Sequence, residues 1–251
     1  MIKAWWHYSD NFGDCLTPYL LNKITQKEVK YTNPSELESD IYCLTGSLLN
    51  EDLSGCNILG LGSAFPDFSL KCSPKTNFLS IRGPLTKEIV EKQGYKVEMV
   101  GDGAFLLPIV YNPKIDKQFK LGIMQSWVDI ELVRSMYGEE KEVLIIDMMR
   151  PVETVINDIL KCELTISGCL HGLITSMIYK IPSYHVKLSN KMMGNGFKFE
   201  DFKKSVNYEH KELPLAEKVA ISELIKLPFL PDSYSDIDNV QKQLYSKIKN
   251  S

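Results

Sequence analysis

The sequence predicts an α/β protein with two Rossmann-like halves, each built on a parallel sheet. Short apolar segments alternate with helical segments over about the first 190 of its 251 residues. This alternation is typical of parallel strands joined by right-handed helical crossovers. A break at Asn112-Pro113-Lys114 separates two such series and places a boundary at about 112–118. At about 150 residues per domain, the length agrees with two modest domains or one large one.

In the first half, strands are predicted where a short apolar run is followed by glycine or proline. These runs lie at 2–8, 41–44, 58–61, 78–81 and 98–100. A helix is predicted over 16–24, where leucine and isoleucine recur at helical spacing. A second helix, over 85–93, has Pro84 in its first turn and Gly94 where a helix ends.

The second half continues the alternation. Strands are predicted at 120–124, 143–146, 164–166 and 183–186, with helices at 130–137, 151–160 and 170–179. Two further helical patterns, at about 215–227 and 236–249, predict a tail that packs across both halves. The predicted domains are therefore 1–113 and 118–203, followed by a helical tail at 204–251.

Charge and composition exclude several classes of protein. The net charge of −3 lacks the strong basic excess of a dedicated nucleic-acid binder. No apolar run approaches the roughly 18 residues that cross a bilayer, and the first residues do not resemble a secretory leader. We therefore expect a cytoplasmic protein. The weakly basic tail is compatible with contact to the inner face of a membrane, although an ordinary packing helix is the favoured interpretation.

The cysteine and histidine patterns do not predict a metal site. The six cysteines contain no CxxC pair, and no HExxH motif occurs. We therefore expect neither a zinc cluster nor a disulfide framework. His7, His185 and His210 are each interpreted as structural.

Four glycine-bearing segments stand at strand ends, where doubly wound folds bind ligands. They are Asn11-Phe12-Gly13-Asp14, Thr45-Gly46-Ser47, Leu59-Gly60-Leu61-Gly62-Ser63 and Gly101-Asp102-Gly103. Glycine lets backbone N–H groups approach an anion closely, so these segments favour a phosphate-type ligand, with ordinary turns as the alternative. The dinucleotide fingerprint is absent, because Phe65 stands where its third glycine belongs.

Two segments carry the most reactive side chains. Arg82 ends a predicted strand just before a helix, where a guanidinium can bind a carboxylate or phosphate; the alternative is an exposed pair with a glutamate. His171 follows Ser167 in the first helical turn, where the helix dipole favours a neutral imidazole that acts as a base. The alternative is a histidine bonded within the domain interface. A Cys169 nucleophile is disfavoured, because its side chain need not face His171.

Taken together, these segments resemble the polysaccharide pyruvyl transferase family. The matching stretches occur in family order from residue 3 to about 201, and the ordered set is more specific than any one of them. They are 3–6, 11–20, 60–63, 81–86, 101–104, 151–153, 167–174 and 196–201.

The resemblance implies a GT-B-like arrangement, with the site in a cleft between the two Rossmann-like domains. It implies an enzyme that transfers the enolpyruvyl carbons of phosphoenolpyruvate to two hydroxyls of one sugar. The products are a cyclic pyruvate ketal and inorganic phosphate. Phosphoenolpyruvate is a co-substrate and no cofactor is expected. The acceptor belongs to an exopolysaccharide or capsular polysaccharide precursor, either free or lipid-linked.

The resemblance also assigns roles to residues. His171 and Asp14 are the expected catalytic residues. The expected donor-binding residues are Arg82, Leu170, Gly62, Ser63, Gly103 and Ser167. The expected cleft or acceptor residues are Asn11, Gly13, Lys198 and Ser126. Ser126 aligns where relatives often carry histidine, and Lys198 or Arg150 is the expected replacement for that histidine.

Two competing functions remain open at the level of sequence, because a fold does not determine a function. The first is a glycosyltransferase of the same fold that uses a nucleotide sugar; such enzymes usually have a ribose-binding acid in the second half, for which Glu153 could be mistaken. The second is a non-catalytic assembly protein, which the presence of both Arg82 and His171 disfavours.

Overall fold

The computed structural model describes residues 1–191, 194–209, 211–227 and 236–249. His210 and the proline-rich segment between the two predicted tail helices lie outside these residues.

Over the described residues, the first sheet contains five parallel strands in the order β2-β1-β3-β4-β5. They are β1 (Ile2–Ala4), β2 (Val29–Tyr31), β3 (Ile41–Cys43), β4 (Cys56–Leu61) and β5 (Asn77–Ile81). The helices of this half are α1 (Phe12–Thr25), α2 (Pro84–Lys92), the 3-10 helix Gly103–Leu106 and α3 (Leu107–Val110). Strand β4 is buried along its whole length, as expected for a parallel strand covered on both faces.

The second sheet, in the part of the chain that is described, also has five parallel strands, in the order β10-β9-β8-β6-β7. They are β6 (Phe119–Met124), β7 (Val143–Ile146), β8 (Cys162–Ser167), β9 (Ser183–Lys187) and β10 (Leu213–Pro214). The helices that follow β6 are α4 (Ile130–Tyr137), α5 (Val152–Leu160), α6 (Leu170–Ile178), α7 (Phe197–Ser205), α8 (Ile221–Leu224) and α9 (Ile237–Lys249). The predicted fold, two Rossmann-like halves in a GT-B-like arrangement, is confirmed.

Three predicted elements are wrong or too long. The strand predicted over 2–8 ends at Ala4, and the run 98–100 forms only isolated bridges at Val97 and Val100. The helix predicted over 215–227 is reduced to α8, because β10 joins β9 and the backbone N–H of Leu215 donates to Lys187 O. Leu215 is fully buried at this edge of the sheet, which explains why an apolar residue stands at this position.

The chain after the second sheet packs against the first half. Helix α7 lies on α2, where Asp201 accepts hydrogen bonds from the backbone and hydroxyl of Thr86. Helix α9 packs on α1 and the 3-10 helix, and its Gln241 donates to Phe105 O at 2.7 Å. One continuous hydrophobic core includes residues from both sheets and from α9. The domain limits 1–113, 118–203 and 204–251 stay a prediction.

Candidate functional site

A cavity of about 670 Å³ is lined by segments that follow strands of both sheets. Six predicted site residues line it: Asn11, Asp14, Ser126, Leu170, His171 and Lys198. Its apolar wall includes Leu48, Phe65, Val128, Met148 and Met149. The backbone N–H of Phe12 donates to Met148 O at 2.7 Å, which ties the two halves together beside the cavity. A pocket at the carboxyl ends of parallel strands is the expected place for a ligand in this fold.

The first turn of α1 forms one wall of the cavity. Asn11 caps the helix by accepting a hydrogen bond from Gly13 N at 3.0 Å, which is the usual use of asparagine before a helix. Asp14 accepts a hydrogen bond from the hydroxyl of Ser9 at 2.7 Å. Burial raises the pKa of Asp14, although the Ser9 bond and the charges of His7 and Lys198 oppose that shift. The Asp14 carboxyl can therefore hold a proton more readily than an exposed aspartate.

The first turn of α6 forms the facing wall. The hydroxyl of Ser167 closes the turn by bonding the carbonyl and the N–H of Cys169, so Ser167 supports the wall without lining the cavity. No side chain caps α6, which leaves its first backbone N–H groups without an intrahelical partner. This helix end is therefore able to bind an anion.

His171 is packed between the two walls. A Cβ added to Gly13 would lie within 3.0 Å of the imidazole, so the ring lies directly against the Gly13 backbone. The side chain keeps 13% of its surface exposed. Burial, assisted by the positive charges of Arg82 and Lys198, lowers the pKa of His171 to about 3. The imidazole is thus neutral near pH 7 with one unprotonated ring nitrogen, and a bound anion would raise its pKa toward that of an effective base.

Asp102 lies behind His171, and the sequence analysis missed it. Its Oδ1 accepts a hydrogen bond from Ala104 N at 2.8 Å and caps the 3-10 helix. Its Oδ2 lies 3.8 Å from Nε2 of His171. Burial raises the pKa of Asp102 to about 7 against the lowering effects of Arg82 and the Ala104 N–H. The sequence does contain a signal for this residue, because Asp102 is an acidic residue between Gly101 and Gly103 at a predicted strand end. The sequence pattern was interpreted only through its glycines.

Arg82 is fully buried and does not line the cavity, so direct donor binding is not what the geometry shows. Its Nη2 donates to Ser63 O at 2.7 Å, and its Nη1 donates to Gly46 O and to the Ser47 hydroxyl. Its Nε lies 4.0 Å from Asp201. The alternative of an exposed pair with a glutamate is also wrong. The guanidinium instead joins the loops at 46–47 and 63 by hydrogen bonds, and its positive charge contributes to the lowered pKa of His171.

The other predicted donor residues support the wall in similar ways. Gly62 packs so closely on Arg82 that a Cβ would overlap the guanidinium. The Ser63 hydroxyl accepts a hydrogen bond from Phe65 N. Gly103 packs against Leu44 O, where no side chain fits. None of these three residues lines the cavity.

Lys198 brings a cationic group to the cavity. It lies at the start of α7, and burial together with the charge of Arg82 lowers its pKa. Ser126 lies at the end of β6 on the same cavity. Arg150 does not line the cavity and pairs instead with Asp158 at 2.8 Å. Of the two expected replacements for the missing histidine, only Lys198 is in place.

Three further features of the described residues are a cysteine beside the cavity, the groups that could bind a metal, and the apolar length of the helices. Burial raises the pKa of Cys169 to about 12, which keeps its thiol protonated and a poor nucleophile near pH 7. Within the described residues there is no group of three or more histidine, cysteine or acidic side chains suited to a metal ion. Helices long and apolar enough to cross a membrane are absent from the same part of the chain.

Comparisons with known proteins agree with this picture. The model of a family described as polysaccharide pyruvyl transferase matches residues 58–190, which is more than half of the chain. A solved structure, the functional uncharacterized protein KP1_0663 from Klebsiella pneumoniae, is similar with a TM-score of 0.50 at 10% identity. The match covers 86% of this chain and 93% of the Klebsiella chain, and at this identity it shows the fold alone. No curated protein matches the chain.

Proposed function

The chain belongs to the polysaccharide pyruvyl transferase family, and from that premise we propose that it forms a cyclic pyruvate ketal on a sugar. The donor is phosphoenolpyruvate, and the acceptor is a sugar of an exopolysaccharide or capsular polysaccharide precursor. The observation that carries the proposal is the cavity in which a neutral histidine, a half-buried aspartate and a lysine meet. We place the reaction on the cytoplasmic side of the membrane, with the acceptor free or lipid-linked.

The donor is a small anion, and we assign its binding to two of the groups that line the cavity. Lys198 supplies a positive charge at the cavity surface. The uncapped start of α6, at Leu170 and His171, supplies backbone N–H groups and the positive end of a helix dipole. We assign the phosphate and carboxylate of the donor to these groups. Arg82 adds a buried positive charge behind them.

Acid–base chemistry falls to two titratable residues that line the cavity, His171 and Asp14. His171 takes the proton from the first sugar hydroxyl as its oxygen bonds to C2 of the donor, and it delivers that proton to C3, which becomes a methyl group. The second hydroxyl then bonds to C2 while the bond from C2 to the phosphate oxygen breaks. Its proton leaves with phosphate through Asp14. General acid–base assistance of this kind contributes about 10²–10⁴-fold in rate.

The nucleotide-sugar alternative has less support from the contacts. Glu153, its candidate ribose-binding residue, is engaged by Lys23 at 2.8 Å and by the hydroxyl of Tyr19 at 3.0 Å. These contacts join α1 to α5, and Glu153 does not line the cavity. Its carboxylate therefore serves the packing of two helices.

The experiment combines the full chain with phosphoenolpyruvate and a panel of saccharides, and in parallel with nucleotide sugars. We expect release of inorganic phosphate together with a saccharide whose mass has risen by one ketal. The His171→Ala variant should lose transfer while keeping its thermal unfolding transition. Asp52→Asn, an exposed residue outside the cavity, is the control and should keep the wild-type rate. Nucleotide release without ketal formation, or full activity of His171→Ala, would refute the proposal.

A further inference from the structure

Two buried polar atoms without partners face each other behind the cavity. Nε2 of His171 and Oδ2 of Asp102 are both fully buried, and neither has a hydrogen-bond partner in the described part of the chain. They lie 3.8 Å apart. A buried polar group without a partner costs about 1–3 kcal/mol, so a pair placed this way is not expected from packing alone. Catalytic hydrogen bonds are often long before substrate binds and shorten in the complex.

We propose that Asp102 is a positioning residue that accepts a hydrogen bond from Nε2 of His171 and so leaves Nδ1 as the proton acceptor. The catalytic consequence rests on the proposed function, whereas the pairing itself is a property of the chain. Nδ1 is the ring nitrogen on the Gly13 side, and Nε2 is sealed from solvent. The lone pair that reaches a substrate must then be on Nδ1. A proton fixed on Nε2 secures this arrangement.

The orientation of Asp102 is fixed by its second oxygen. Because Oδ1 holds the Ala104 N–H as the cap of the 3-10 helix, the carboxyl cannot rotate without losing that bond. The charged groups that face the pair are Arg82 from the end of β5 and Lys198 and Asp201 from α7. Arg82 favours the ionised carboxylate, and Asp201 disfavours it.

The pair predicts a defined pH dependence. With the pKa of Asp102 raised to about 7, the carboxylate form above that pH accepts the proton of Nε2. Below it, the protonated carboxyl donates to Nε2, and the ring proton moves to Nδ1. His171 itself stays neutral throughout, since its pKa lies near 3. The competent tautomer is therefore the one present on the alkaline side, and the rate should fall as pH drops through about 7.

Asp102→Asn changes the hydrogen bonding of the side chain toward His171 while keeping nearly the same side-chain shape. Asparagine is as good a helix cap as aspartate, so its carbonyl keeps the Ala104 N–H and its amide NH₂ points at Nε2. An NH₂ group only donates, which forces the ring proton onto Nδ1. We expect kcat to fall by about 10²-fold or more, with KM for phosphoenolpyruvate nearly unchanged and no pH limb near 7. Asp52→Asn is the matched control, because Asp52 also accepts one backbone bond, from Ser54 N at 2.9 Å.

The direct readout is the tautomer of His171, measured by nitrogen–proton correlation on labelled histidine side chains. The chain has four histidines, and His171→Ala identifies the signal. We expect the Nε2–H form above pH 7 in the wild type and in Asp52→Asn, and the Nδ1–H form in Asp102→Asn. An unchanged tautomer in Asp102→Asn, or an Nδ1–H ring in the wild type at pH 8, overturns the inference.

The same measurement separates this inference from the proposed function. A tautomer that follows Asp102 in a protein without ketal activity would leave the pairing standing and remove the assigned reaction. Ketal activity with a tautomer that ignores Asp102 would do the reverse. If Asp102→Asn does not fold, the wild-type titration of the tautomer still decides, because the proposal requires the switch near pH 7.

Discussion

Replacing Gly13 with alanine tests how closely His171 is held against α1. The added Cβ would lie 2.9 Å from Cγ of the imidazole and 3.0 Å from Cε1, and closer still to Nδ1. Non-bonded carbon atoms prefer a separation of about 3.5–4.0 Å, so the ring has to retreat by about 1 Å. The backbone of Gly13 itself presents no obstacle, because it is helical.

Two opposing terms determine the stability of Gly13→Ala. Alanine in place of glycine within a helix gains up to about 1 kcal/mol, and less in the first turn. Overpacking against a fixed side chain costs about 1–3 kcal/mol. The variant should therefore lose up to about 3 kcal/mol of unfolding free energy. A catalytic group displaced by 1 Å also costs about 10²-fold in rate, so ketal formation should fall by about that factor.

A double-mutant cycle isolates the contact. In a His171→Ala background the imidazole is gone, and Gly13→Ala should become neutral or stabilising by up to about 1 kcal/mol. The coupling energy between the two sites is expected at about 1–3 kcal/mol, measured by urea unfolding of the four proteins. Equal effects of Gly13→Ala in both backgrounds would refute the close packing of His171, whatever reaction the protein catalyses.

Three further predictions concern the charges around the site. Folding raises the pKa of Asp102, so ionising its buried carboxyl destabilises the wild type as pH rises from about 4 to 7. Asp102→Asn should therefore gain up to about 4 kcal/mol of unfolding free energy relative to the wild type over that window, measured by urea unfolding. A difference that does not change with pH contradicts this. Lys198→Gln should weaken binding of phosphoenolpyruvate by about 10-fold or more in calorimetry, since a charged hydrogen bond contributes about 1.5–3 kcal/mol; unchanged affinity removes Lys198 from the donor site. Asp201→Ala should cost about 3–5 kcal/mol of unfolding free energy, because it removes a carboxylate that compensates the buried Arg82 charge and two hydrogen bonds from Thr86, and a loss under about 1 kcal/mol is inconsistent with that role.

Sequence patterns predicted most helices and strands that have one apolar face. Helix α4 and strand β7 have the predicted limits, because amphipathic spacing and a short apolar run are both local signals. Strand β2 was missed, since two of its three residues are exposed and it is held by pairing with β1. The helix predicted over 215–227 was wrong for a similar reason, whereas the helix predicted over 236–249 is present as α9. Leu215 is apolar because it packs at a sheet edge, which no helical spacing can reveal.

The site was predictable in its position and less so in the direction of its side chains. Parallel topology places the segment of Asn11 at the carboxyl end of the first sheet, and those of Ser126 and His171 at the carboxyl end of the second. The same rule placed Arg82 near the site but could not show that its guanidinium turns inward to bind carbonyls. That choice depends on buried acceptors from two other loops. The proximity of Asp102 to His171 was missed for the same reason, because only the fold brings these two distant positions of the sequence together.

The hydrophobic core that runs through both sheets bears on how substrates enter. Enzymes with two separately packed lobes often admit their ligands by hinge motion, with each lobe moving as a rigid body. Here the two halves share one hydrophobic core, into which α9 packs Val240, Leu244 and Ile248, and a second core lies within the first half. A hinge motion would have to open that shared core, so we expect substrates to enter without a rigid-body separation of the two halves. A chain of this construction should also unfold in one cooperative transition, and a donor bound in the cavity would stabilise both lobes at once.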